Sequence, residues 1–150
     1  PLYAFVLNKI IVVDDDVSLE VQVKVSSFQT GSDYRIHCTD VRSGIEPFAA
    51  GNSFGNSESS IPLTTANLTT DQNTECYNGI LYLPHPSDTA RYKVLWHNGT
   101  YVRRTDGDFA FSIGHGGYDG GAGAVTGLRF YASSGDLTSG TITLYGIKDS

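Results

Sequence analysis

The chain has no methionine and a single tryptophan in 150 residues, and its only cysteines are Cys38 and Cys76. Two cysteines without a CxxC spacing give a zinc site nothing to stand on, so no metal and no cofactor is expected. Each falls in or beside a predicted strand, where a small buried side chain is expected rather than a disulfide. Basic residues are scarce, ten against sixteen acidic for a net charge of −6, and Arg103-Arg104 is the one adjacent pair. Gripping a phosphate backbone takes clustered Lys and Arg, so nucleic acid is not an expected partner. No apolar run approaches the roughly 20 residues of a membrane helix, so no membrane is expected either. The apolar opening, Leu2–Val13, is interrupted by Asn8 and Lys9 and lacks a basic leader, so it does not read as a signal peptide. The expectation is a chain made in a cytosol, its first residue left by loss of an initiator Met or by a processing boundary.

What the chain has in quantity is glycine (17), tyrosine (nine) and phenylalanine (seven). Glycine-rich turns between short runs of Val, Ile, Thr and aromatics predict an all-β fold. The expected architecture is an antiparallel, jelly-roll-like β-sandwich of about eight strands with no helix. Residues 1–16 are expected to form an N-terminal arm or edge strand, and residues 17–150 a single sandwich domain. The acidic run Asp14-Asp15-Asp16 reads as a solvated turn between the two.

Val17 to Phe28 alternates Val17, Leu19, Val21, Val23 and Val25 against Ser18, Glu20, Gln22 and Lys24, one dry face and one wet. Tyr34–Val41 is its expected partner strand. Ser43 to Thr74 loses the pattern in Gly, Asn and Ser and reads as a long functional loop, with Ile61–Leu63 a short strand kept at an edge by Pro62. Tyr77–Leu83 is the next strand. Arg91–Trp96 and Tyr101–Arg104 are expected to form a hairpin about His97-Asn98-Gly99, because Asn-Gly readily supplies positive φ. Phe109–Ile113 is a further strand, and Gly114 to Gly123 a glycine-rich surface loop. Val125–Ala132 and Thr141–Ile147 read as a closing hairpin.

No catalytic pattern stands out. The four histidines (37, 85, 97, 115) are never at metal spacing, and no Gly-x-Ser-x-Gly elbow occurs. Acids cluster in turns rather than in facing pairs. A non-enzymatic role is expected. The aromatics suggest a glycan-stacking surface of Trp96, Tyr101 and Tyr118 with Tyr131, neighboured by His97, Asn98 and Asp119; burial of the same rings in the core is the competing expectation.

From Leu81 onward a resemblance enters. The run Tyr82-Leu83-Pro84-His85-Pro86-Ser87, then Tyr92-Lys93-Val94-Leu95-Trp96, then Gly99-Thr100-Tyr101, resembles the motif order of small structural proteins of tailed bacteriophages. The closing Gly127-Leu128-Arg129-Phe130-Tyr131, Ser133-Ser134-Gly135, Ser139-Gly140-Thr141 and Leu144-Tyr145-Gly146 is similar to their C-terminal hairpin. The resemblance covers residues 77–148. It implies a β-sandwich subunit of the virion, assembled in the host cytoplasm, either a capsid decoration (cement) protein or a tail-fibre or spike domain. Without heptads, a collagen-like repeat or a long stalk, the decoration role is the closer one. The implied partners are the major capsid protein or other virion proteins, in a homotrimer. The expected interface is the arm with the long loop: Leu2, Tyr3, Phe5, Leu7, Ile10, Phe48 and Phe54. The alternative is recognition of a host surface glycan through Trp96, Tyr101 and Tyr118.

Overall fold

The computed structural model describes residues 1–43, 50–65, 68, 76–103 and 108–148. Among these there is no helix, and ten strands replace the eight or so expected. In chain order they are β1 (Leu2–Val12), β2 (Leu19–Lys24), β3 (Tyr34–Arg42), β4 (Ala50–Glu58), β5 (Ile61–Pro62), β6 (Tyr77–Pro84), β7 (Lys93–Val102), β8 (Phe109–Tyr118), β9 (Gly127–Ala132) and β10 (Leu137–Ile147). Seven form one sheet in the order β10-β1-β6-β7-β8-β3-β4, and three form a second, β5-β2-β9. Every pairing is antiparallel. The core lies between the sheets in a sandwich-like arrangement: Leu7, Tyr34, Tyr77, Leu81 and Leu95 from the large sheet meet Leu19, Val21, Val23 and Ile61 from the small one. The valine ladder of β2 faces inward as its alternation requires, and Pro62 sits on the edge strand β5, where a missing N–H leaves no ladder bond unmade.

The N-terminal segment is neither an arm nor an edge strand. Strand β1 is paired on both sides, with β10 and with β6. Its apolar residues serve two faces of an interior strand, which is why it reads as a nearly continuous apolar run. A break in register beyond Leu7, with Lys9 at a φ of 53°, lets both Leu7 and Ile10 point into the core.

Four further expectations are corrected. Strand β3 does not pair with β2; it lies in the other sheet, between β8 and β4. The closing hairpin does not form, because β9 pairs with β2 and β10 with β1, in different sheets. Between them the Ser133 N–H donates to the Ser18 carbonyl and the Val13 N–H to the Asp136 carbonyl, while Gly135 takes a φ of 68°, carrying the chain across from one sheet to the other. Nor does the chain turn at His97-Asn98-Gly99, since β7 runs straight through it. Gly99 is there for a close approach: a Cβ would stand 2.4 Å from the Tyr77 ring. Strand β8 likewise continues through half of the supposed glycine loop, to Tyr118.

Candidate functional site

Uninterrupted β7 and β8 have a consequence for side-chain direction. Residues an odd step apart on one strand face opposite ways. Trp96 therefore faces outward, 39% exposed, while Tyr101 on the same strand faces the core at 2%. Tyr118 also lies inside at 4%, its ring 5.5 Å from that of Tyr34 and its hydroxyl 3.0 Å from Gln29 Oε1. Tyr131, on β9, donates its hydroxyl to Glu20 of the small sheet. The expected three-ring glycan surface is thus not assembled; a turn after Trp96 would have freed Tyr101 from strand parity, and that turn is absent.

The residues expected at a subunit interface are also redistributed. Leu7 and Ile10 are buried in the chain's own core. Tyr3 and Phe5 face inward and line an apolar cleft of about 430 Å³ with Leu83, Val125, Leu128 and Leu144. Phe5 packs tilted on Phe130, ring centroids 5.8 Å apart. Leu2 is half-buried on β1. Phe48 lies outside the described residues. Phe54 is the one of the set that stands free, 77% exposed on β4.

Phe54 belongs to a surface that the sequence reading missed. Register places Phe54 beside His37, His37 beside His115, and His115 beside Trp96. The same row continues through Tyr82, Ala4 and Tyr145, crossing all seven strands on the outer face of the large sheet. The His37 and His115 rings meet edge to face at 5.5 Å, and Tyr82 stacks on Trp96 at 5.3 Å with 18° between planes. The next row runs Thr39, Ile113, Asn98, Ile80. The two rows enclose a shallow depression of about 360 Å³. Beyond it Val41, Phe111, Phe109 and Val94 are also exposed. Along β6, β7, β8 and β3, the outward positions carry a single charged side chain, Arg35, which is ion-paired with Asp119.

The inner side of the same strands is the more polar one. Asp40, fully buried, accepts hydrogen bonds at Oδ2 from the Tyr101 hydroxyl and from the Thr65 hydroxyl and N–H. Ser112 donates to the Leu63 carbonyl and lies 3.6 Å from Cys38 Sγ. Both cysteines are free thiols, and burial pushes that of Cys38 up to about 12. Burial also pushes the Tyr101 hydroxyl up, and the Asp40 carboxylate beside it adds to the shift. His97 is pushed down to about 4 by burial, and neither ring nitrogen has a well-formed hydrogen bond. Lys93 turns its ammonium inward onto the Asp88 and Arg91 carbonyls. Burial thus disfavours the charged forms of the Cys38 thiol, the Tyr101 hydroxyl and the His97 imidazole alike. Among the described residues, no three His, Cys, Asp or Glu side chains converge as metal ligands would.

Compared with protein-family models, with curated proteins and with solved structures, the chain has no match.

Proposed function

We propose that this chain is a non-enzymatic, jelly-roll-like structural subunit of a bacteriophage virion, seated in the particle by laying the outer face of its seven-stranded sheet against the coat protein. The observation that carries the reading is the composition of that face. It presents Phe54, Trp96, Phe109, Phe111 and Ile113 to water, and its central strands carry one outward charge in a chain of net charge −6. Depletion of charge with enrichment of aromatics marks the core of a protein interface, and exposed apolar patches of this extent mark contact sites. Seven strands about 4.8 Å apart and ten residues long span on the order of 1,000 Å², more than the roughly 800 Å² each partner commits to a standard interface. The motif order over residues 77–148 supports the virion setting. The contact moves from the N-terminal segment, now an interior strand, to the sheet face.

The test is electron microscopy of particles from the lysate in which the chain is made, paired with the variant Phe111→Asp/Ile113→Asp. The expected result is density for the chain with this face covered by coat protein, lost in the variant while its thermal unfolding is unchanged. Particles that carry the chain with the face open to solvent, or that incorporate the variant at full occupancy, would overturn the reading.

A host-glycan reading keeps one supporting observation: Trp96 borders the depression together with the polar groups of His37, Thr39, Asn98 and His115. Tyr82 already covers one face of the indole, leaving one face for a sugar. Calorimetric binding to surface polysaccharide that disappears in Trp96→Ala, with the fold intact, would favour it over the assembly role.

A further inference from the structure

The large sheet ends in a strand that soluble proteins rarely leave open. Strand β10 pairs with β1 on one side, and among the described residues nothing pairs with the other. It is eleven residues long, contains no charge and no proline, and from Thr138 to Ile147 every residue is exposed. Both of its faces are apolar in part: Ile142 and Leu144 on the inner side, Tyr145 and Ile147 on the outer. Natural edge strands are blunted by lysine, proline or brevity, because a row of free N–H and C=O groups templates another strand. Here the charges stand only at the two ends, Asp136 before the strand and Lys148 after it.

We propose that β10 pairs antiparallel with β10 of a second copy, about a two-fold axis normal to the sheet at Ile142. The pattern of the strand is self-complementary in that register. Over the regular stretch Ser139 meets Tyr145 of the partner, Gly140 meets Leu144, and Ile142 meets its own counterpart, so large side chains fall against small ones or against another aliphatic. Gly140, with a φ of 127°, lies opposite Leu144, where the missing side chain leaves room, and the extra residue that β10 carries against β1 falls beyond this stretch, between Ser139 and Leu137. A two-fold axis normal to the sheet keeps inner face with inner face, and the Ile142 and Leu144 strip beside the Tyr3–Leu83 cleft runs on into the partner's.

Eleven residues at about 3.3 Å each make an edge roughly 36 Å long and bury on the order of 400 Å² per copy, about half of a standard interface. The pairing is accordingly concentration-dependent on its own. It sets the two outer faces side by side on one surface, so a dimer presents a doubled docking area to a repetitive lattice. This inference does not rest on the virion reading, because it concerns an edge and not the sheet face.

Sedimentation velocity of the full chain over a concentration series, at low ionic strength, tests it. The expected result is a monomer–dimer equilibrium. Ile142→Lys, which opposes its own charge across the axis, weakens it by about tenfold or more. Phe111→Asp/Ile113→Asp leaves the equilibrium unchanged, which separates this contact from the sheet-face contact. A chain that stays monomeric across the series, or a dimer indifferent to Ile142→Lys, overturns the proposal.

Discussion

Strands β7 and β8 have two faces whose character is nearly the reverse of what water alone would select. Inward they carry Lys93, His97 and Ser112, next to Asp40 of β3; outward they carry Val94, Trp96, Phe109, Phe111 and Ile113. The inner set survives burial because most of it is bonded: Lys93 to carbonyls, Ser112 to Leu63, Asp40 to Tyr101 and Thr65. The outer set has no such account within one chain. Alternation places five large apolar side chains where none of the described residues covers them, on the face that the proposed partner would cover. One face is thus explained by folding and the other by the proposed contact, and each can be broken without the other.

The sharpest break is between Leu95 and Ile113, aliphatic side chains on the two faces. Leu95 is fully buried in the core, and Leu95→Ala should lower unfolding free energy by about 2–5 kcal/mol, because the sheets collapse only partly into the space. Ile113, half-exposed, should lose less than about 1 kcal/mol in Ile113→Ala while weakening the proposed contact with a coat protein. Urea unfolding of both variants reads the difference. Equal losses would mean that the outer face is held by the fold after all.

Acid separates the faces next. His97 titrates at about 4 in the folded chain because burial disfavours its charged form, against an ordinary value near 6.5. The unfolded state therefore binds a proton that the folded state refuses. Stability is complete above about pH 6.5 and falls as pH drops from there, by about 3 kcal/mol at pH 4 from this ring. Unfolding midpoints from pH 7 to 4 should show a decline for the parent that is shallower in His97→Leu. Parallel curves would remove His97 from the account.

Much of the fold was legible in the chain, and the misses have local causes. The valine alternation of β2, the strands at Tyr34 and Tyr77, and the edge position of Pro62 all follow from short-range pattern, and the structure has them. Asn98-Gly99 misled because one dipeptide satisfies two needs, a turn or a close approach, and here the Tyr77 ring takes the space. The closing hairpin misled because Ser18 and Val13, distant in sequence, hold the segment between β9 and β10 at a crossing from sheet to sheet. The outer face was hidden for a more general reason. A period of two says which residues share a face, but not which face is wet. In β8, Phe109, Phe111 and Ile113 alternate with Ala110, Ser112 and Gly114, and hydrophobicity alone would have put the wrong set inside. The small set goes in because side chains from elsewhere fill the space above it: a Cβ on Gly116, further along that face, would lie 2.6 Å from Ile61.

The smallest of these effects tests whether the buried polar ties, rather than packing alone, keep the polar set inside. Tyr101→Phe removes one hydroxyl and no volume to speak of, and its ring stays within reach of Tyr77, 6.5 Å away. What changes is Asp40, whose Oδ1 already lacks a hydrogen-bond partner and whose Oδ2 would keep only the Thr65 donors. Leaving a buried acceptor short of a donor should lower stability by about 1–2 kcal/mol. Thr65→Ala should do the same, and the double variant should fall short of the sum, since the two hydroxyls serve one oxygen. Urea unfolding of the four chains measures that coupling. A change below about 0.3 kcal/mol in Tyr101→Phe would mean that packing, not Asp40, sets which face of β7 and β3 turns inward, and the outward face would then owe its composition to the core's shape instead of a partner.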